Sequence, residues 1–388
     1  MRYREFVRPK GSGAVLEYFS EDKKCCLLFA ADFIISPAKE IYMFKTKLYF
    51  LASILVTALV CSPLLGQGDP YRTRNPHFGV SGGNINDISR AFCCSGTLGS
   101  LVTAGSTQYV LSNNHVLARQ DQAVAGEDIS QPGLIDNGCQ PATIVADFTR
   151  AVQLGNNVDC AIAALRAGQM DSTGFIEGIG TISRVVRAPA VGLAVEKSGR
   201  TTGTTTGTIG AINTSVNVQY QIRCGQGKKY VISYTNQVMI NSSGFSAGGD
   251  SGSLIVTNSS CHQPVGLLFA GSSSTTVANP IGEVLSRLGG VSFVGGTCTS
   301  SASQQLGGQT LQLSQQAIDH ASRVLEQNRH DLMSKPGVLG VGLGSLEDNS
   351  EAAIVVYVDK TSSPKPQLPD QVDNVPVRVI LTDPFIAF

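Results

Sequence analysis

Between Ile88 and Val294 the chain is a succession of short apolar runs, each cut off within a few residues by glycine, serine, threonine or asparagine. Gly96–Val102, Tyr109–Leu111, Ala161–Leu165, Val191–Val195, Gly207–Ile212, Tyr230–Ser233, Ser253–Val256 and Val265–Phe269 are the clearest. No helical period links them, so the segment predicts many short strands in an all-β barrel or sandwich. About 200 residues of this pattern suit two small barrels better than one. Composition points the same way. The 42 glycines supply tight turns, and the charged fraction of 15% lies well under the roughly 25% of an average soluble chain. With 29 basic and 29 acidic residues, no net field draws the chain to nucleic acid or anionic lipid. A coiled coil, a collagen, a wholly disordered chain and a polytopic membrane protein are all poor fits.

The two ends read differently from this middle. Leu48 to Leu65 is uncharged and mostly apolar, and Met43, Lys45 and Lys47 stand just before it. That order predicts a secretory signal over residues 43–66, with export to the periplasm or the outside. An uncleaved membrane anchor is the alternative, since such a run can just span a bilayer. Residues 1–42 have no place ahead of a signal, so translation is expected to start at Met43. Residues 67–87 are a polar lead-in to the β-rich segment of residues 88–296. Residues 297–313 are a low-complexity linker. From residue 314 to 388 a polar helix (Ser314 to Ser334) precedes three strand-like runs, Val338–Leu343, Ala352–Val358 and Val375–Leu381. This predicts a separate small α+β module, a regulatory or binding appendage without a cluster of catalytic residue types.

Of the 10 cysteines, Cys93, Cys94, Cys139, Cys160, Cys224, Cys261 and Cys298 follow the signal. Export permits disulfides, and the odd number leaves at least one thiol without an internal partner. No zinc-type spacing occurs, and no motif calls for a metal or a cofactor.

Three segments carry chemistry. Tyr109–Ala118 (YVLSNNHVLA) is an apolar strand ending in a polar turn that presents His115. Asn156–Leu165 (NNVDCAIAAL) sets Asp159 at the start of a charge-free strand; Asp147 is its nearest rival. Phe245–Leu254 (FSAGGDSGSL) is a glycine-rich turn with Asp250 and Ser251. A serine hydroxyl needs a base to take its proton as it attacks, and imidazole has the right pKa to do so. A carboxylate on the other ring nitrogen fixes the tautomer. Glycines beside the serine let backbone amides approach a developing oxyanion, and Gly249 and Ser251 are the candidate donors.

At these residues the sequence resembles the chymotrypsin-like serine peptidases. Gly249-Asp250-Ser251-Gly252 is similar to their nucleophile motif and SNNHVLA to their histidine segment, in the same chain order. KSGRTTG (Lys197–Gly203) resembles the bacterial branch with α-lytic protease. GTLGSLVTAG and GDSGSLIV, with PVGLLFAGS, resemble trypsin-like proteins of bacteria and plants, including the narrow-leaf type. The C-terminal strands look like a small module that usually precedes the protease in that group, whereas here it follows.

The resemblance implies two six-stranded antiparallel β-barrels with the site between them, and a secreted endopeptidase acting on polypeptides through His115, Asp159 and Ser251. Asp250 would be a buried carboxylate supporting the oxyanion loop, with Lys197 as its partner and Arg200 as second choice. Phe245 would lie at the floor of the specificity pocket and Ala270, Gly271, Ser272 and Ser273 in its wall, favouring uncharged residues at the cleavage site. A non-catalytic peptide-binding scaffold is the alternative, as is an esterase using the same groups.

Overall fold

The computed structural model describes residues 68–298 and 313–388, which form one compact unit. The signal at 43–66, the extension before it and most of the linker lie outside the described residues. No helix among the described residues is long and apolar enough to cross a membrane.

The first barrel contains β1 (Val80–Asn84), β2 (Gly96–Leu98), β3 (Ser100–Ala104), β4 (Thr107–Ser112), β5 (Asp128–Gln131), β6 (Thr143–Ala151) and β7 (Ala161–Leu165). The short helix α1 (Asn114–Leu117) follows β4. β2 and β3 are one strand bent at Gly99. Its two halves occupy opposite ends of the order β3-β4-β7-β6-β5-β1-β2, which closes the ring. Leu98, Leu101, Val110, Leu111, Ile129, Val145 and Ile162 fill its interior. A small hairpin, β8 (Phe175–Ile176) with β9 (Gly180–Thr181), leads out of it.

The second barrel is β10 (Ala194–Gly199), β11 (Gly203–Gln221), β12 (Lys229–Ile240), β13 (Leu254–Thr257), β14 (Pro264–Gly271) and β15 (Thr276–Pro280). Its order β10-β13-β14-β15-β12-β11 closes where β10 also pairs with β11. Val195, Ile209, Ile240, Phe245, Ile255 and Leu268 form its core. Each such side chain contributes about 1.5–3 kcal/mol of burial. Helix α2 (Ile281–Leu288) follows, then β16 (Ser292–Phe293), which crosses back to pair with β3.

The barrels meet where the Ser251 turn lies on β2. Thr97 N donates to Ser251 O at 2.8 Å, and Ser112 Oγ donates to Thr97 O at 2.7 Å. A Cβ at Gly99 would stand 1.9 Å from Gly252 O, and one at Gly252 2.3 Å from Thr97 O. Backbone touches backbone there, which only glycine permits.

Beyond the linker, helix α3 (Gln315–Ser334) is capped by Ser314, whose side chain accepts from Ala317 N at 3.2 Å. It buries Ala321, Val324, Leu325 and Leu332 on β17 (Val338–Ser345) and β18 (Ala352–Asp359). β19 (Gln371–Val372), β20 (Val375–Thr382) and β21 (Phe385–Ala387) complete the chain. The α+β segment does not stand apart. β17 pairs with β11, so the sheet of the second barrel runs on through β17, β18 and β20. β21 instead turns back between β11 and β14.

Candidate active site

The polar end of β4 explains where His115 sits. Asn113 holds an extended conformation before α1, and its Nδ2 donates to Asp159 O at 2.7 Å. Asp159 N donates to Asn279 Oδ1 at 2.9 Å. The main chain on both sides of Asp159 is thus pinned by asparagine side chains, one from each barrel.

The Asp159 carboxylate is fully buried. It accepts from His115 Nδ1 at 2.6 Å, from His115 N at 3.2 Å and from Tyr220 Oη at 2.8 Å. Tyr220 in turn is 2.7 Å from Tyr234 Oη. Burial first, then the Asp159 charge, pushes the Tyr220 phenol well above its ordinary pKa, so it remains a donor. Tyr220 lies one residue before the end of β11 and Tyr234 on the paired strand β12, and no local motif marks them. Burial works to lower the His115 pKa, but Asp159 outweighs it, with help from a Phe388 oxygen and Asp87, and the net shift is upward. Asp87 also faces this ring, its carboxyl lifted by burial to about 6 against His115 and Arg119.

Ser251 Oγ, fully buried, donates to Phe269 O at 3.2 Å. His115 Nε2 lies 2.9 Å from Phe388 O. Among the described residues no hydrogen bond joins Ser251 to His115; Ser251 turns to β14 at Phe269 O and His115 to Phe388 O, just past β21.

Asp250 and Lys197 are both fully buried, with Nζ 3.6 Å from Oδ2. Asp250 accepts from Thr201 N at 2.7 Å, Thr202 N at 3.2 Å, Ala247 N at 2.9 Å and Thr202 Oγ1 at 2.7 Å. Lys197 Nζ also donates to Gly203 O at 2.8 Å and to Thr202 Oγ1. Burial pulls its pKa down to about 8, against the attraction of Asp250. Arg200, the second choice, pairs with Asp136 instead, Nε to Oδ2 at 2.7 Å. Asp147, the rival carboxylate, lies on the surface with Arg166.

The amides of Gly249 and Ser251 donate to no protein acceptor among the described residues. Their directions are set from behind. A peptide unit is planar, so holding its carbonyl aims its N–H the opposite way. Gly248 O accepts from Thr201 Oγ1 at 2.7 Å, which orients the Gly249 N–H. Asp250 O accepts from Ser253 N at 3.0 Å and Ser253 Oγ at 2.6 Å, which orients the Ser251 N–H. Two backbone donors without a protein acceptor, a buried hydroxyl and an imidazole–carboxylate pair are the groups that acyl transfer requires.

Phe245 is buried in the second barrel core, its ring centroid 6.0 Å from Lys197 Nζ. Ala270 and Gly271 end β14, and Ser272 Oγ lies 2.6 Å from Thr382 Oγ1.

Cys93–Cys139, Cys94–Cys224 and Cys261–Cys298 are disulfides, and among the described residues Cys160 is left as a buried free thiol. Burial and the adjacent Asp159 raise its pKa, so it is not a thiolate.

The described residues form the two six-stranded antiparallel barrels expected from the sequence. No protein-family model and no curated protein matches the chain. Among solved structures, a glutamic acid-specific serine protease with a histidine triad in substrate binding is 22% identical, covering 56% of this chain and 98% of its own, with a TM-score of 0.41. Thermobifida fusca Protease A and a Cellulomonas bogoriensis chymotrypsin are each 20% identical, covering 57% of this chain and 99% of their own, at 0.39. At those scores the likeness carries no reading of the site, which stands on its own geometry.

Proposed function

We propose that the chain is a serine endopeptidase in which Ser251 attacks the peptide carbonyl and His115 Nε2 takes its proton and returns it to the leaving amine. The observation that carries this is the 2.6 Å contact of His115 Nδ1 with a carboxylate sealed from water. It keeps a proton on Nδ1, so that Nε2, once released from Phe388 O, accepts the serine proton, and it stabilises the imidazolium once formed. Gly249 and Ser251 amides receive the oxyanion, and each such donor supplies about 3–4 kcal/mol of barrier lowering. Lys197 and Asp250 hold the turn that carries them without any new N-terminus. Phe245, Ala270, Gly271 and Ser272 belong to the specificity side of the cleft. Export, read from residues 43–66, fits the three disulfides, which persist in oxidising compartments.

One observation favours a scaffold that binds peptides without cutting them: Ser251 Oγ faces Phe269 O. A serine-directed fluorophosphonate separates the two. An activated Ser251 labels and Ser251→Ala does not; a chain that labels at no serine, with β21 present or removed, refutes the peptidase.

A further inference from the structure

We propose, resting on the peptidase reading, that Phe385–Phe388 is a tethered substrate mimic. It occupies the acyl side of the cleft and shows that the site takes peptides with a bulky aromatic or apolar residue just before the scissile bond.

β21 adds as a strand to the edge of β14, antiparallel, with Ala387 opposite Ala270 and Ile386 opposite Gly271. Its other edge lies parallel to β11, Phe385 beside Val218 and Ile386 beside Gln219. The segment is therefore held on both sides by main chain, the sequence-tolerant way to seat an extended peptide. Side chains alternate as a strand requires. Phe385 is buried, its ring centroid 5.8 Å from that of Tyr357, while Ile386 faces solvent.

Phe388 is the residue of this segment that reaches the candidate site. Its N–H donates to Phe269 O at 3.3 Å, the carbonyl that also accepts Ser251 Oγ. Its own oxygen lies 2.9 Å from His115 Nε2. Phe388 thus shares the Phe269 carbonyl with the proposed nucleophile and places its own oxygen against the proposed base. Its ring packs on the apolar cluster containing Phe245 and Leu268, and a Cβ on Gly271 would stand 2.6 Å from its Cζ. Glycine at 271 is what admits an aromatic ring there. The side chains that the ring packs against are apolar, so a charged side chain in its place would give up water for contacts that do not replace it.

The segment is also latched. Ser273 Oγ donates to Asp383 Oδ2 at 2.5 Å, and Lys360 Nζ lies 2.9 Å from Asp383 Oδ1. A tethered strand competes at an effective concentration on the order of millimolar, so a weakly binding tail still excludes substrate.

The test uses the full chain, Phe388→Gly, which keeps the Phe385 anchor, and a variant lacking Asp383–Phe388. Fluorophosphonate labelling of Ser251 and cleavage of quenched peptides with Phe-Ile-Ala-X before the bond are followed in all three. Faster labelling by about tenfold in both variants is expected, with X = Phe or Leu cut at least tenfold better than X = Lys or Glu. The peptide Asp-Pro-Phe-Ile-Ala-Phe added in trans should slow the shortened variant competitively, and Asp-Pro-Phe-Ile-Ala-Asp should not. Equal labelling of Ser251 in all three forms overturns the mimic and leaves the peptidase standing. A preference for charged X overturns the substrate class. Absence of labelling in every form removes the peptidase, and the mimic with it.

Discussion

The pair most open to a quantitative test is Lys197 with Asp250. Both side chains are fully buried, and their charged atoms are 3.6 Å apart. Removing one member of a buried pair costs about 3–5 kcal/mol, because the other charge remains without its counterion. Asp250 keeps its bonds from Thr201 N, Thr202 N, Ala247 N and Thr202 Oγ1, which offset part of that loss. The expectation for Lys197→Met is therefore the low end, about 3 kcal/mol. A double-mutant cycle with Asp250→Asn should return a coupling of about 2 kcal/mol, within the range for contacting groups. Guanidinium unfolding of the four proteins measures it. The same substitution loosens the turn carrying Gly249 and Ser251, and a shift of about 1 Å in such a turn costs about a hundredfold in rate. Labelling of Ser251 should fall by that factor while unfolding stays cooperative. A coupling within about 0.5 kcal/mol of zero, or labelling at the wild-type rate, refutes the reasoning.

The other predictions concern groups that hold the site. Tyr220→Phe removes a hydrogen bond to a charged acceptor, worth about 1.5–3 kcal/mol, and leaves the Asp159 charge to His115 alone; chemical denaturation should show the loss, and histidine titration by NMR should show His115 moving further up. Thr201→Val frees Gly248 O and with it the Gly249 N–H; labelling should drop at least tenfold with little change in unfolding midpoint, and an unchanged rate would deny Thr201 its positioning role. The His115 shift is upward because Asp159, Phe388 and Asp87 together outweigh burial. Neutral imidazole therefore becomes available only above the ordinary histidine range, so the acid limb of labelling should lie above about pH 6.5 and move down when Asp383–Phe388 is removed. On the alkaline side, labelling should decline as pH passes about 8, where Lys197 loses its proton and its hold on Asp250.

The barrel strands were legible because a strand buried on one face writes its pattern into the sequence. Ala161–Leu165 coincides with β7, and Ser253–Val256 differs from β13 by one residue at each end. Val191–Val195 was misplaced, since Gly192 and Leu193 form a turn closed by Leu193 N on Ala190 O and the strand starts at Ala194. β11 was read only at Gly207–Ile212. Its polar continuation from Asn213 is strand because β12 and β17 pair with its backbone, and main-chain pairing leaves little trace in residue type. α2 was hidden by its shortness and by Pro280 ahead of it.

At the site the division follows the chemistry. Proton transfer and nucleophilic attack admit few residue types, so His115, Asp159 and Ser251 stand out in a sequence where they lie far apart. Orientation admits many. A hydroxyl on Asp159 can come from any tyrosine that reaches it, and Tyr220 arrives from another barrel. The tail is the extreme case: Phe385–Phe388 has nothing in its composition that marks a ligand, and its meaning lies in the acceptor it reaches. The carbonyl of Phe269 accepts the Phe388 N–H and Ser251 Oγ together. An incoming peptide strand seated in the same register must take that bond from Phe388. On the proposed reading, occupancy of the cleft is a competition for that one acceptor, and the lack of a side chain at Gly271 leaves the room that the Phe388 ring takes.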